Sequence, residues 1–199
     1  MTDAAIQTEA LPVGSIGHRS SGWYGMLTVI MTEAALFAYL LFSYYYFYVQ
    51  YGREFLPPKL PEFHLSLPDT IILLASSVTA WSAHRGLRRG DKHQLLWGLA
   101  LSLVLGVIFV SVQGFEWASR PFTMASSAYG SLYFTATGFH MMHVFAGLLI
   151  LVLLLIWSWL DYFDPARDAP LAIGIIYWHF VDAVWLTLFF TFYITPHLS

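Results

Sequence analysis

The chain has 199 residues, of which 58% are hydrophobic and only 11% charged, with a formal net charge of -3. A soluble domain carries about 25% charged residues. Mean hydropathy here is +0.62, so composition excludes an ordinary soluble domain and predicts a membrane protein. No basic tract offers a surface for nucleic acid, and the lack of cysteine excludes disulfides and thiolate metal sites.

The first 22 residues, MTDAAIQTEALPVGSIGHRSSG, are polar and slightly acidic. They have neither the basic and apolar regions of a signal peptide nor the Arg-rich pattern of a transit peptide. They read as a short cytoplasmic tail before a single membrane domain, 23–199. A span needs roughly 20 mostly apolar residues. Five stretches meet that need, at 23–49, 67–87, 94–118, 130–160 and 171–194, which predicts an all-α bundle of five transmembrane helices. The breaks have local causes. REFLPPKLPEFH (53–64) holds four charges and three prolines, and RGLRRGDKH (85–93) holds four basic residues and two glycines. SRPFTMASS (119–127) and DYFDPARDAP (161–170) combine proline with charge. Such turn-forming sequences do not stay in lipid.

The basic residues orient the bundle. With the N-terminus cytoplasmic, Arg19, Arg85, Arg88, Arg89, Lys92 and Arg167 lie inside, and Arg53, Lys59 and Arg120 outside. This satisfies the positive-inside rule and puts the C-terminus, ITPHLS, in the periplasm. Tyr44, Tyr45, Tyr46, Tyr48 and Tyr51 crowd the outer end of span 1, as an interfacial aromatic belt does. On span 3, Gly98, Ser102, Gly106 and Gly114 are spaced by multiples of four. Small residues at that spacing let a neighbouring helix approach, so this stripe predicts a packing ridge rather than a site.

Glu33, Glu116 and Asp182 are read as carboxylates within spans, joined there by His140, His143 and His179. One ionisable side chain at a span centre costs roughly 2.5–3.5 kcal/mol on insertion scales. At about 1.5 Å per residue, Glu33, His143 and Asp182 fall near the midplane, while Glu116 ends span 3 near the outer surface. His179 and Asp182 share a helical face, flanked by Trp178 and Trp185. Thr137, His140 and His143 form a similar ladder on span 4, with Gly147 clearing space beside it. Three readings remain open on the residues alone. The histidines and carboxylates could bind zinc, copper or iron, although the H-E-x-x-H string is absent. Glu33 and Asp182 could mark a proton-carrying path. Or the groups form a protein-facing hydrogen-bonded network, each carboxylate protonated by desolvation or paired with a histidine or a tryptophan N–H. For Glu116 the plain reading is a helix-end residue at the headgroup level.

Five strings then carry a resemblance: TEAALFAYLLFSYYY (32–46), SSVTAWSAHRGLRRGDKH (76–93), GVIFVSVQGFEW (106–117), ATGFHMMHVFAGLL (136–149) and YWHFVDAVWLTLFF (177–190). In that order they resemble subunit III of the haem–copper oxidases, across nearly the whole chain past residue 22. The chain is similar to a short, five-helix bacterial form that begins at what looks like the third helix of the seven-helix form.

The resemblance implies a subunit with no haem and no metal of its own, both belonging to partner subunits I and II. His140 and His143 are then structural, with His179, Glu116 and Trp185 in the same hydrogen-bonded network. Glu33 matches the family's buried carbodiimide-reactive glutamate, and His143, His179 and Asp182 are expected as its midplane network. The family's subunit III packs on subunit I beside subunit II, with small helical subunits in some complexes. It supports proton uptake, protects against turnover inactivation and holds phospholipid in a cleft. Arg85, Arg88, Arg89 and Lys92 are expected to meet anionic headgroups. The implied function is a non-catalytic accessory role in a proton-pumping cytochrome c oxidase of the bacterial inner membrane. A quinol oxidase and an accessory protein of nitric oxide reductase are the alternatives within the family. Outside it the rival is a stand-alone proton-coupled transporter.

Overall fold

The computed structural model describes residues 21–57, 63–164 and 168–198. Five long helices occupy them: α1 (Ser21–Tyr51), α2 (Phe63–Arg89), α3 (Lys92–Ser119), α4 (Ala128–Trp159) and α5 (Ala169–Phe189). No strand occurs among the described residues. Each helix covers one predicted span to within five residues at either end. The largest differences are at the end of α5, which stops at Phe189 where a π-helical stretch takes over, and at the start of α2, which begins at Phe63 and carries Pro68 inside it. The predicted tail, save its last two residues, lies outside the described residues, as do Arg19, Lys59 and Arg167 of the orientation argument.

Four stretches are long and apolar enough to cross a membrane: Ser21–Phe55, Lys92–Ser119, Ala128–Trp159 and Ala169–His197. Helix α2 matches them in length but not in apolarity. Its polar side chains recur at helical spacing, and they are turned inward. Ser66, Asp69, Thr70 and Ser76 are all buried. The composition of α2 therefore reflects hydrogen bonding to its neighbours, not exposure to water.

The α2–α3 turn is a helix stop followed by a helix start. Gly90 has φ +73°, a left-handed conformation that only glycine adopts without strain. The N–H groups of Gly90 and Asp91 close on the carbonyls of Leu87 and Gly86, a Schellman-type ending. Asp91 then caps α3 by accepting from the Gln94 N–H at 3.0 Å. Beyond it the helices run antiparallel: Gly86 meets Leu95, Thr79 bonds to Ser102, and Asp69 reaches Gln113. At the far end, α5 loosens into a π-helical stretch, Phe190–Ile194, and a 3-10 turn, Thr195–His197.

Helix α5 contacts α1, α2 and α4. Trp178, wholly buried, is its wedge. A Cβ on Gly106 would stand 2.9 Å from the Trp178 ring, and one on Gly147 would stand 2.7 Å from it. The indole N–H ends on Ser76 Oγ at 2.9 Å, so one side chain joins α2, α3, α4 and α5. Gly147 thus clears space for Trp178 and not for the histidines beside it. The small-residue stripe on α3 is only partly a ridge. Gly98 abuts Ala83 and the Thr79 carbonyl, Ser102 bonds to α2 and Gly106 faces α4 and α5, whereas Gly114 has nothing within 4 Å.

Gly106→Leu should lower the thermal unfolding midpoint and the yield of the chain in mild detergent, with overpacking costing roughly 1–3 kcal/mol. Gly114→Leu should fall within about 0.5 kcal/mol of the unmodified chain. Equal melting of the two variants would refute the wedge.

Candidate functional site

The ionisable groups of the bundle sort into separate contacts, each made by a pair or trio of helices. Glu33 projects from the middle of α1 toward His143 on α4. Glu33 Oε2 lies 3.0 Å from His143 Nε2. The tautomer follows from the other ring nitrogen: Nδ1 lies 2.7 Å from the Phe139 carbonyl, which can only accept, so Nδ1 carries hydrogen. One proton therefore sits in the Glu33–His143 contact, on the carboxyl or on Nε2. The Phe37 ring closes one side of the imidazole, with centroids 5.2 Å apart. The Glu33 side chain remains 32% exposed.

Asp182 and His179, one turn apart on α5, meet Ser77 of α2. Ser77 Oγ–H donates to Asp182 Oδ2. Having one hydrogen, the hydroxyl then accepts from His179 Nδ1–H at 2.7 Å. The order is His179 to Ser77 to Asp182. No hydrogen bond joins this trio to Glu33 and His143, so the expected single midplane network is two separate contacts on different helix pairs.

His140 turns away from His143. Its Nε2–H donates to the Val181 carbonyl at 3.2 Å, and its ring lies 5.1 Å from Trp185 and 6.0 Å from Phe109. Trp185 donates to Thr70 Oγ1 at 3.0 Å. The i, i+3 spacing of the two histidines therefore serves two neighbours, α5 and α1. Among the described residues no three His, Asp or Glu side chains gather so that they could hold a metal ion.

Glu116, near the end of α3, is enclosed by the bundle. It is 3% exposed and accepts from Tyr193 at 2.6 Å and from Arg120. Arg120, expected as an outer-loop cation, folds back onto it with its side chain 11% exposed: its guanidinium lies over Tyr133 and Tyr193 at 5.3 and 5.5 Å. The i, i+4 spacing of Glu116 and Arg120 was the available signal. Asp69, Ser76, Ser77, Gln113 and Tyr193 also escaped the sequence reading. Asp69 lies beside Pro68 at the start of the predicted span 67–87; its membership of the polar face that includes Ser66, Thr70 and Ser76 was the clue.

At the α2–α3 end, Arg85, Arg88 and Arg89 are exposed. The Arg85 guanidinium lies 5.3 Å from the Trp81 ring. Lys92 is paired with Asp161 at 2.5 Å, and His84 lies 3.5 Å from Asp168.

This arrangement can hold protons between fixed partners. A family model described as cytochrome c oxidase subunit III matches residues 15–196. The chain is 36% identical over 177 residues to cytochrome c oxidase subunit 3 of Scyliorhinus canicula, and equally to that of Danio rerio. The alignments cover 85% of this chain and 68% of each relative. The corresponding protein of Cyprinus carpio is 35% identical over the same length. The residues matched take in all five helices and every contact described above, and the chain belongs to the cytochrome c oxidase subunit III family.

Proposed function

We propose that this chain is a non-redox accessory subunit of a proton-pumping cytochrome c oxidase in a bacterial cytoplasmic membrane. In this reading its N-terminus is inside and its C-terminus is periplasmic. It packs on subunit I, which it stabilises and whose proton uptake it supports, while the haems and copper stay in subunits I and II. Family membership supports the oxidase, and the names of the relatives favour cytochrome c over quinol as the donor.

The observation that carries the reading is the position of Glu33. It lies midway along a helix with only Phe37 and Tyr44 buried among its 31 residues. Lipid covers an apolar helix face well, but a half-open carboxyl there costs roughly 2.5–3.5 kcal/mol. A protein partner relieves that cost, so the Glu33 face of α1 is where subunit I or another subunit seats. Phospholipid suits the opposite demand. An apolar groove of about 430 Å³, lined by Met26, Ile150, Leu153, Trp157 and Ile173, fits an acyl chain. The arginines at the α2–α3 end suit headgroup phosphate.

A mild-detergent pull-down of the tagged chain should bring down a large haem-bearing subunit and a copper-bearing subunit II, with a-type haem bands in the visible spectrum. A stable, colourless chain recovered alone would overturn the accessory reading and favour the free-standing transporter. Glu33→Ala should leave the complex assembled with its haem spectrum intact. Oxygen reduction should slow by less than about tenfold, equivalent to about 1.4 kcal/mol, with faster inactivation during turnover. Complete loss of oxygen reduction in an assembled complex would contradict a supporting role.

A further inference from the structure

Four elements converge at the bundle end opposite the α2–α3 turn. They bring Asp69 of α2, Gln113 and Glu116 of α3, Arg120 after α3, Tyr133 of α4 and Tyr193 of the π-helical stretch into one closed cluster. Asp69 and Gln113 are 0% exposed. Gln113 Nε2 donates to Asp69 Oδ2 at 3.1 Å and reaches Glu116 Oε2 at 3.5 Å, which accounts for both of its hydrogens. Tyr193 gives its hydrogen to Glu116 Oε1 at 2.6 Å, so Tyr133 donates to Tyr193 across 3.1 Å. Arg120 Nη2 donates to Glu116 and, at 3.2 Å, to Tyr193.

Two accounts of this cluster fail to close at Asp69. The first is charge. Two carboxylates face one guanidinium, and the neighbouring side chains (Thr70 on α2, Tyr133 on α4, Tyr193 beyond α5) are neutral. One negative charge is left in a site closed to water, where an uncompensated ion is expensive. The second is hydrogen bonding. Asp69 Oδ1 and Gln113 Oε1 are both buried acceptors with no donor, and Arg120 Nε is a buried donor with no acceptor. One added hydrogen cancels the charge and partners both acceptors.

We propose that Asp69 carries a proton and forms a two-point acid–amide pair with Gln113, its Oδ1–H donating to Oε1 while Nε2–H donates back to Oδ2. This is a second proton-holding site, distinct from the Glu33–His143 contact and built from different helices. It is a stationary one: the acid is enclosed, and Arg120 is committed to Glu116. A metal monocation would need a shell of several oxygens, and the cluster offers two free ones.

The test is infrared absorption of the full chain, in its complex or alone, in H2O and D2O. The wild-type spectrum should contain a protonated-carboxyl carbonyl band, shifted by deuteration, that Asp69→Asn removes. Asparagine has the shape of the neutral acid and supplies a donor toward Gln113, so this variant should melt with the wild type. Asp69→Ser should remove the same band, giving a second reading if asparagine is not tolerated. Loss of a carboxylate band in place of the acid band would overturn the proposal. So would a carboxylate band that responds to exchange of Na+ for K+, which would assign a metal cation. The readout involves no oxygen reduction, so its failure is distinguishable from failure of the oxidase assignment.

Discussion

The bundle depends on how Trp178 is seated. Its indole fills the gap that two glycines leave on facing helices, and its N–H reaches a serine on a third. In lipid the hydrophobic effect does little to hold helices together, because a lipid tail is as apolar as a leucine side chain. Close packing and interhelical hydrogen bonds must do it, and Trp178 supplies both. Seven residues on, Trp185 repeats the device with Thr70 and with the His140 ring. Helix α5 thereby becomes the axis around which α1, α2 and α4 are placed.

The same demand explains α2. A helix rich in Ser, Thr, Asp and His is a poor span by composition, and its inward face is paired with α3 and α5. Thr79 bonds to Ser102, Ser77 to His179 and Asp182, and Asp69 to Gln113. These polar groups, which a bilayer would penalise, have partners on other helices, and the pairings also set the helix register. The ionisable groups are part of this scheme and not an addition to it. Glu33 and His143 do for α1 and α4 what Ser77 and Asp182 do for α2 and α5.

Glu33 differs from the others in being incompletely enclosed. Asp182 and Glu116 are 4% and 3% exposed, whereas a third of the Glu33 side chain is open on the least buried helix. Burial within one chain accounts for the former. The latter makes sense as the edge of a larger assembly, in keeping with a family whose members are subunits.

Much of the fold was legible in the sequence because lipid imposes length and apolarity on each span, and because proline, glycine and charge mark the breaks. The five helices, the family and the residues Glu33, His140, His143, His179 and Asp182 could be read from periodicity and strings. What could not be read was which of these residues meet. His140 and His143 share a helical face by spacing, yet they bond to α5 and α1, because a face some 100° wide borders two neighbours. Glu116 looks terminal by count, yet the π-helical stretch after α5 brings Tyr193 down onto it. Asp69 falls inside the predicted span 67–87, yet only the packing of α2 on α3 shows that it meets Gln113. The sequence alone determined which segments are helices and what chemistry they carry, since both depend on local composition. Only the tertiary structure decided the partners, since a hydrogen bond between helices depends on relative rotation and register, which arise when all five pack at once.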